Sequence, residues 1–187
     1  MSILVKIGRK VASFVRKKIK SRPKWEKLEY FDESWKNRMK VMVKFIPDNV
    51  SVIDLGCGPM WLKQFLKIRK YYPVDYKKRA EDTIVCDFNK HEFPGLKADF
   101  AFVGGCLEYI KDYQWFVKQI AANVNSCVIS YCAVELVPDL ATRHKYAWVN
   151  NLSRNNIIDL FEKNGMSLKG EDKYLNTNLI FMFSKNN

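Results

Sequence analysis

Asp54, Asp75 and Asp87 each stand at the end of a short run of β-branched, aliphatic or aromatic residues: SVIDL at 51–55, KYYPV at 70–74 and TIVC at 83–86. In an open parallel sheet, ligands bind outside the carboxyl ends of the strands, so acids at three successive ends outline a pocket. Gly56 and Gly58 follow Asp54 at once, with Cys57 between them and Pro59 after. Glycine lets the backbone take a positive φ and lets a ligand approach with no Cβ in the way. The free N–H groups of a following helix would complete the cradle. Asp54 can accept from the amides of the turn or from a ligand ammonium. Asp75, 19 residues beyond Gly56, can bind the two hydroxyls of a ribose, and Asp87 can accept from an exocyclic adenine amine. The set suits a nucleoside carrying positive charge. The plainer alternative makes all three acids strand caps and turn formers.

On these residues the chain resembles the class I S-adenosylmethionine-dependent methyltransferases over roughly residues 50–135. VIDLGCG is similar to the family's glycine motif, which implies that Gly56, Cys57 and Gly58 wrap the methionine part of the cofactor. YYPVDY resembles the ribose-binding strand, with Asp75 as its acid. IVCDF resembles the adenine-binding turn, with Asp87 and the backbone of Phe88. ADFAFVGGCLEYIKD is similar to the fourth strand and the helix after it. That places Gly104 beside the cofactor and Leu107-Glu108-Tyr109 where many members read Leu-Glu-His. The resemblance implies a cofactor, S-adenosyl-L-methionine, and a reaction, methyl transfer. The glycine motif departs from the family in ending Pro59-Met60, and Pro73 stands where glycine is common.

The acceptor side is expected in the long connection CAVELVPDLATRHKYAWVNNLS, whose polar and aromatic density marks a binding loop. RHKYAWVNNLS resembles the same region of small methyltransferases found among bacterial polysaccharide-modification enzymes, which implies a sugar or phosphate-bearing glycan acceptor. Arg143 is expected to hold a phosphate and Trp148 to stack on a sugar ring, with Tyr146, Asn150, Glu108 and Tyr109 completing the acceptor site. His144 is the candidate general base, its reference pKa lying near neutrality; a loop histidine with no such role is the plain alternative. His91 reads as a solvated turn residue. Tyr30, Phe31 and Trp35 are placed either to close over the pocket or to pack in the core. No Asn/Asp-Pro-Pro-aromatic motif follows the fourth strand and no Pro-Cys pair occurs, which disfavours methylation of nucleic-acid bases.

Charge is unevenly spread. Residues 1–44 hold 14 Lys/Arg against 4 Asp/Glu, and the remainder 18 against 16, within a net charge of +12. Ile3, Ile7, Val11, Phe14 and Val15 recur at helical spacing among lysines and arginines, a basic amphipathic helix suited to an anionic membrane surface. Its apolar stripe favours a membrane or protein partner over RNA, since phosphate contacts need none. The expected organisation is residues 1–22 as this helix and 23–187 as a single domain. No stretch is long and apolar enough to span a bilayer. The five cysteines form no Cys-x-x-Cys pair and read as small buried hydrophobes of a reducing compartment. A cytoplasmic protein, peripheral on the inner membrane face, is the expectation.

Periodicity gives the secondary structure that carries these residues. Helices are expected from Asp32 to Ile46, from Pro59 through Leu66, after Asp112 and after Ser153, the last stopping at Gly165. Strands are expected at 51–55, 70–74, 83–86, 98–104 and 126–131, with MSLKG and NLIFMFS as a closing hairpin. The fold class is α/β: a Rossmann-like open sheet, mostly parallel, with an antiparallel C-terminal edge hairpin and helices on both faces. Three rival functions remain, one of them an RNA methyltransferase whose basic segment would track phosphates. A nicotinamide oxidoreductase would want a third glycine where Trp61 stands. A non-catalytic scaffold would keep the cofactor pocket and dock a partner.

Overall fold

The computed structural model describes residues 27–186. The amphipathic helix expected at 1–20 and the domain boundary at residue 22 lie outside the described residues.

Seven strands make one sheet: β1 Ser51–Leu55, β2 Lys70–Asp75, β3 Ile84–Val85, β4 Ala98–Gly104, β5 Val124–Tyr131, β6 Met166–Tyr174 and β7 Asn178–Lys185. Their order is β3-β2-β1-β4-β5-β7-β6. The first five pair in parallel, while β7 runs antiparallel to β5 and β6. The reversal of order between β1 and β4 is the topological switch point, and the chain puts its glycine turn there. The central strands are buried along almost their whole length, as strands covered on both faces must be. The fold class expected from the sequence is the one observed.

Among the described residues four α-helices flank the sheet: α1 Trp35–Met42, α2 Tyr113–Asn123, α3 Leu140–Lys145 and α4 Arg154–Glu162. On one face, Phe116, Val117 and Ile120 of α2 and Ile157 and Phe161 of α4 pack on Ile53, Leu55, Ala101, Val103 and Ile129. On the other, Met39, Met42, Ile46 and Leu62 pack on Val52, Phe100, Phe102 and Val128. Each such side chain contributes about 1.5–3 kcal/mol by leaving water. The caps are local chemistry: Asp112 accepts from Trp115 N, Ser153 and Asn156 form a capping box, and Gly165 ends α4 at φ 78°.

Several elements differ from expectation. The helix expected over 32–46 is shorter, giving way to a 3-10 turn at Val43–Phe45, and Trp35 is 38% exposed rather than part of the buried stripe. After Pro59 only a 3-10 turn, Trp61–Gln64, forms, because Met60 takes a left-handed φ of 56° and interrupts any helix begun at the proline. The long connection after β5 contains α3, which Asp139 caps by accepting from Ala141 N and Thr142 N. All five cysteines are free, and four are buried. Among the described residues no helix is long and apolar enough to cross a membrane.

Candidate active site

Backbone bonds fix the glycine turn. Gly56 N and Cys57 N both donate to Val74 O, at 2.8 and 3.0 Å, tying the end of β1 to β2. Gly56 and Gly58 have φ of 82° and 46°, which a residue with a Cβ reaches only under strain. Gly58 N donates to Asp75 Oδ2 at 3.1 Å, so the ribose-binding candidate also holds the turn. A Cβ on Gly58 would lie 2.5 Å from Phe31 Cε1, and one on Gly56 would lie 2.9 Å from Cys106 Sγ. Phe31 therefore lies against the turn while also packing on the core face that holds Met39 and Trp61. Cys57 is buried, and burial raises its thiol pKa, so it lines the turn as a neutral thiol.

The three acids occupy the carboxyl ends of adjacent strands in three different states. Asp54 is buried and accepts from the Tyr71 hydroxyl at 2.5 Å. Burial pushes its carboxyl up to about 7, the Tyr71 bond opposes that rise, and the charge of Asp75 adds to it. Asp75 Oδ1 accepts from Lys77 N at 3.0 Å and pairs with Arg79 Nη2 at 3.1 Å. The Arg79 guanidinium in turn lies 5.6 Å from the centre of the Phe31 ring. Asp87 is half-buried, accepts from Asn89 N at 3.0 Å and stands 3.5 Å from Lys90 Nζ. The Phe88 ring packs in the core against Phe116, leaving only its backbone to meet a ligand. In position these residues fit a charged nucleoside. For a ribose and a methionine group to take their places, Arg79 has to leave Asp75 and Phe31 has to leave the face of Gly58.

The expected acceptor residues divide. Glu108 is 2% exposed; its Oε1 accepts from Cys132 N at 3.0 Å, while Oε2 has no partner among the described residues. Burial raises its pKa. The Tyr109 hydroxyl accepts from Trp148 Nε1 at 3.2 Å, and Tyr146 stacks on Trp148 with ring centres 5.3 Å apart. These four stay together near the carboxyl ends of β4 and β5.

Arg143 and Asn150 border this group but turn inward, the Arg143 guanidinium lying 4.9 Å from the centre of the Trp148 ring. Arg143 is fully buried, and its donors reach Asn151 Oδ1, Cys132 O, Val137 O, the Tyr131 hydroxyl and Asn150 O. All five guanidinium N–H groups are engaged, so none is left for a phosphate. Asn150 is buried too, bonding Leu107 O, Ile110 O and the Tyr131 hydroxyl. Both residues anchor the loop after β5 to the sheet. His144 lies exposed on α3, with no side-chain hydrogen bond among the described residues to orient it as a base. His91 pairs with Asp112 Oδ2 at 3.0 Å and packs on Trp115, as a surface turn residue does.

Arg38 borders the candidate site and was not singled out in the sequence. Its Nη1 donates to Asn178 Oδ1 at 3.1 Å and its Nη2 reaches Gly104 O at 3.4 Å. The signal was available: an arginine three residues after Trp35 and four before Met42 shares their helical face. Arg79 was missed as well, although it stands four residues past Asp75.

No protein-family model matches the chain, and no curated protein matches it in sequence. Solved structures do resemble it. One is the complex between the Haloferax volcanii Trm112 methyltransferase activator and a methyltransferase, with TM-score 0.67 at 13% identity over 82% of this chain and 90% of the other. The Burkholderia thailandensis 1,6-didemethyltoxoflavin-N1-methyltransferase, with bound 1,6-didemethyltoxoflavin and S-adenosylhomocysteine, gives 0.65 at 14% identity over 100% and 92%. The magnesium protoporphyrin IX methyltransferase of Synechocystis PCC 6803, also with bound S-adenosylhomocysteine, gives 0.61 at 12% identity over 81% and 83%. The fold is thus that of S-adenosylmethionine-dependent methyltransferases. At these identities the likeness speaks for the fold alone.

Proposed function

We propose that this chain is an S-adenosylmethionine-dependent methyltransferase acting on a small polar acceptor, with a sugar or phosphate-bearing glycan as the preferred class. The observation that carries the reading is the convergence of Asp54, Asp75 and Asp87 with a positive-φ glycine turn at the carboxyl ends of β1, β2 and β3. S-adenosylmethionine, when bound, supplies an electrophilic sulfonium methyl. The chain's own part is placement, which contributes most in such a displacement. Gly56, Cys57 and Gly58 would receive the methionine part, Asp75 the ribose hydroxyls, and Asp87 with the Phe88 backbone the adenine. Gly104 would border the methyl group. Glu108 replaces His144 as the candidate base: it is buried with one oxygen unpartnered and its pKa raised, whereas His144 is exposed. Tyr109, Tyr146 and Trp148 supply an aromatic wall for the acceptor. Residues 1–20 would hold the chain at an anionic inner-membrane surface, a role checked by co-sedimentation with anionic vesicles before and after their deletion.

The Asp75–Arg79 ion pair favours a second reading, in which the chain keeps the fold without the chemistry and fills its own cofactor site. Calorimetric titration with S-adenosylhomocysteine separates the two. The wild type is expected to bind, and Asp75→Ala to bind about tenfold more weakly, or ~1.4 kcal/mol. A folded wild type that does not bind overturns the methyltransferase reading. Binding leads on to transfer of a labelled methyl group to candidate glycans.

A further inference from the structure

Three buried polar atoms near the carboxyl ends of β4 and β5 have no hydrogen-bond partner among the described residues: Arg38 Nε, Glu108 Oε2 and Ser130 Oγ. Folded proteins seldom leave buried polar atoms unpaired, so each one asks for an explanation. These three belong to one connected cluster. Ser130 lies opposite Gly104 across the β4–β5 pair, and Gly104 O accepts from Arg38. Arg38 also donates to Asn178 Oδ1, which takes the Cys132 thiol at 3.5 Å, and Cys132 N donates to Glu108 Oε1. Arg38 makes no direct ion pair among the described residues; the nearest carboxylate to feel its charge is that of Glu108, whose Oε2 has no partner. Gly105 lets the guanidinium lie close against the backbone, since a Cβ there would lie 2.8 Å from Arg38 Nη2.

We propose that Arg38, Glu108 and Ser130 form the acceptor-recognition site of this chain, and that it takes a hydroxylated oxyanion. A phosphate or carboxylate oxygen meets the Arg38 guanidinium, whose fork matches either group. A neighbouring hydroxyl donates to Glu108 Oε2, and Ser130 completes the contact. A cationic acceptor would face Arg38 unfavourably, and an apolar one would leave all three atoms unpaired. The assignment rests on the methyltransferase reading and moves anion recognition from Arg143 to Arg38.

The test uses the full, isotopically labelled chain loaded with S-adenosylhomocysteine, whose own binding is measured first. Glucose 6-phosphate, glucuronate and glucose are titrated separately while the backbone amides are followed by NMR. Saturable shifts at Gly104, Gly105 and Cys132 are expected with one or both anionic sugars, and the two arms tell phosphate from carboxylate. Binding should weaken at least tenfold in Arg38→Gln, and also in Ser130→Ala, which keeps the test open should Arg38→Gln not fold. The proposal is overturned if glucose binds as tightly as the anions, if the variants bind unchanged, or if none of the three sugars shifts these amides. Should S-adenosylhomocysteine itself fail to bind, the methyltransferase reading has fallen, and the same titration on the unloaded protein still decides whether the cluster takes a hydroxylated oxyanion.

Discussion

Arg79 and Asp75 form an ion pair of 3.1 Å with both side chains about 95% buried, and Asp75 is the acid that a ribose would need. On the proposed function the guanidinium would therefore compete with the ligand. Arg79→Gln is expected to bind S-adenosylhomocysteine about tenfold more tightly in calorimetry while lowering the unfolding midpoint, since removing one member of a buried pair strands the other. Weaker binding in this variant would instead make Arg79 part of the cofactor clamp.

Phe31 and Gly58 are coupled by contact. Gly58→Ala adds a Cβ at φ 46° and 2.5 Å from the Phe31 ring, and is expected to cost about 1–3 kcal/mol in denaturant unfolding. Phe31→Ala removes the steric part of that cost, so the double variant should be more stable than the two single losses add up to. Strict additivity would mean that the ring does not lie on the turn.

The Asp54 carboxyl is pushed up to about 7, above its ordinary 3.8, chiefly by burial. A raised carboxyl pKa gives stability that is complete below the unfolded value and is lost as pH rises through the folded one. The wild type should therefore lose stability relative to Asp54→Asn between about pH 4 and pH 7, by up to ~4 kcal/mol. Urea melts of both proteins across that range check it; parallel curves would rule it out.

Arg143 carries structure rather than a phosphate. Arg143→Ala removes five hydrogen bonds and leaves the buried Cys132 carbonyl without a donor among the described residues, and should destabilise by about 3–5 kcal/mol. Lysine cannot reproduce the planar fork, so Arg143→Lys should recover only part of that loss. Thermal unfolding reads both, and a variant as stable as the wild type would return Arg143 to the ligand set.

Strand ends were legible in the sequence because Asp54, Asp75 and Asp87 interrupt apolar runs, and the hairpin because its two runs flank a polar turn. The caps at Asp112 and Ser153 come from local chemistry and were legible for the same reason. Met60 was not: nothing in its side chain announces a left-handed backbone, so the helix after Pro59 was expected and a 3-10 turn is found. Arg143, His144 and Asn150 show the other limit. Their side chains suited a ligand equally well, and only long-range packing sends Arg143 and Asn150 inward while His144 faces water. Arg38 was hidden for the opposite reason, a charge on a helix face otherwise read as core.

One short segment touches both halves of the site: Phe31 lies on the glycine turn, and seven residues later Arg38 reaches Gly104. On the proposed reading donor and acceptor would share this single strap, and neither could rearrange it without changing the other's surroundings. Whichever ligand displaces the strap first bears the cost of lifting it, and the second binds to a cleft already opened. Such coupling is reciprocal by thermodynamic necessity, so the cooperativity between the two substrates would be set by residues 31–38, which take no part in the transfer step itself.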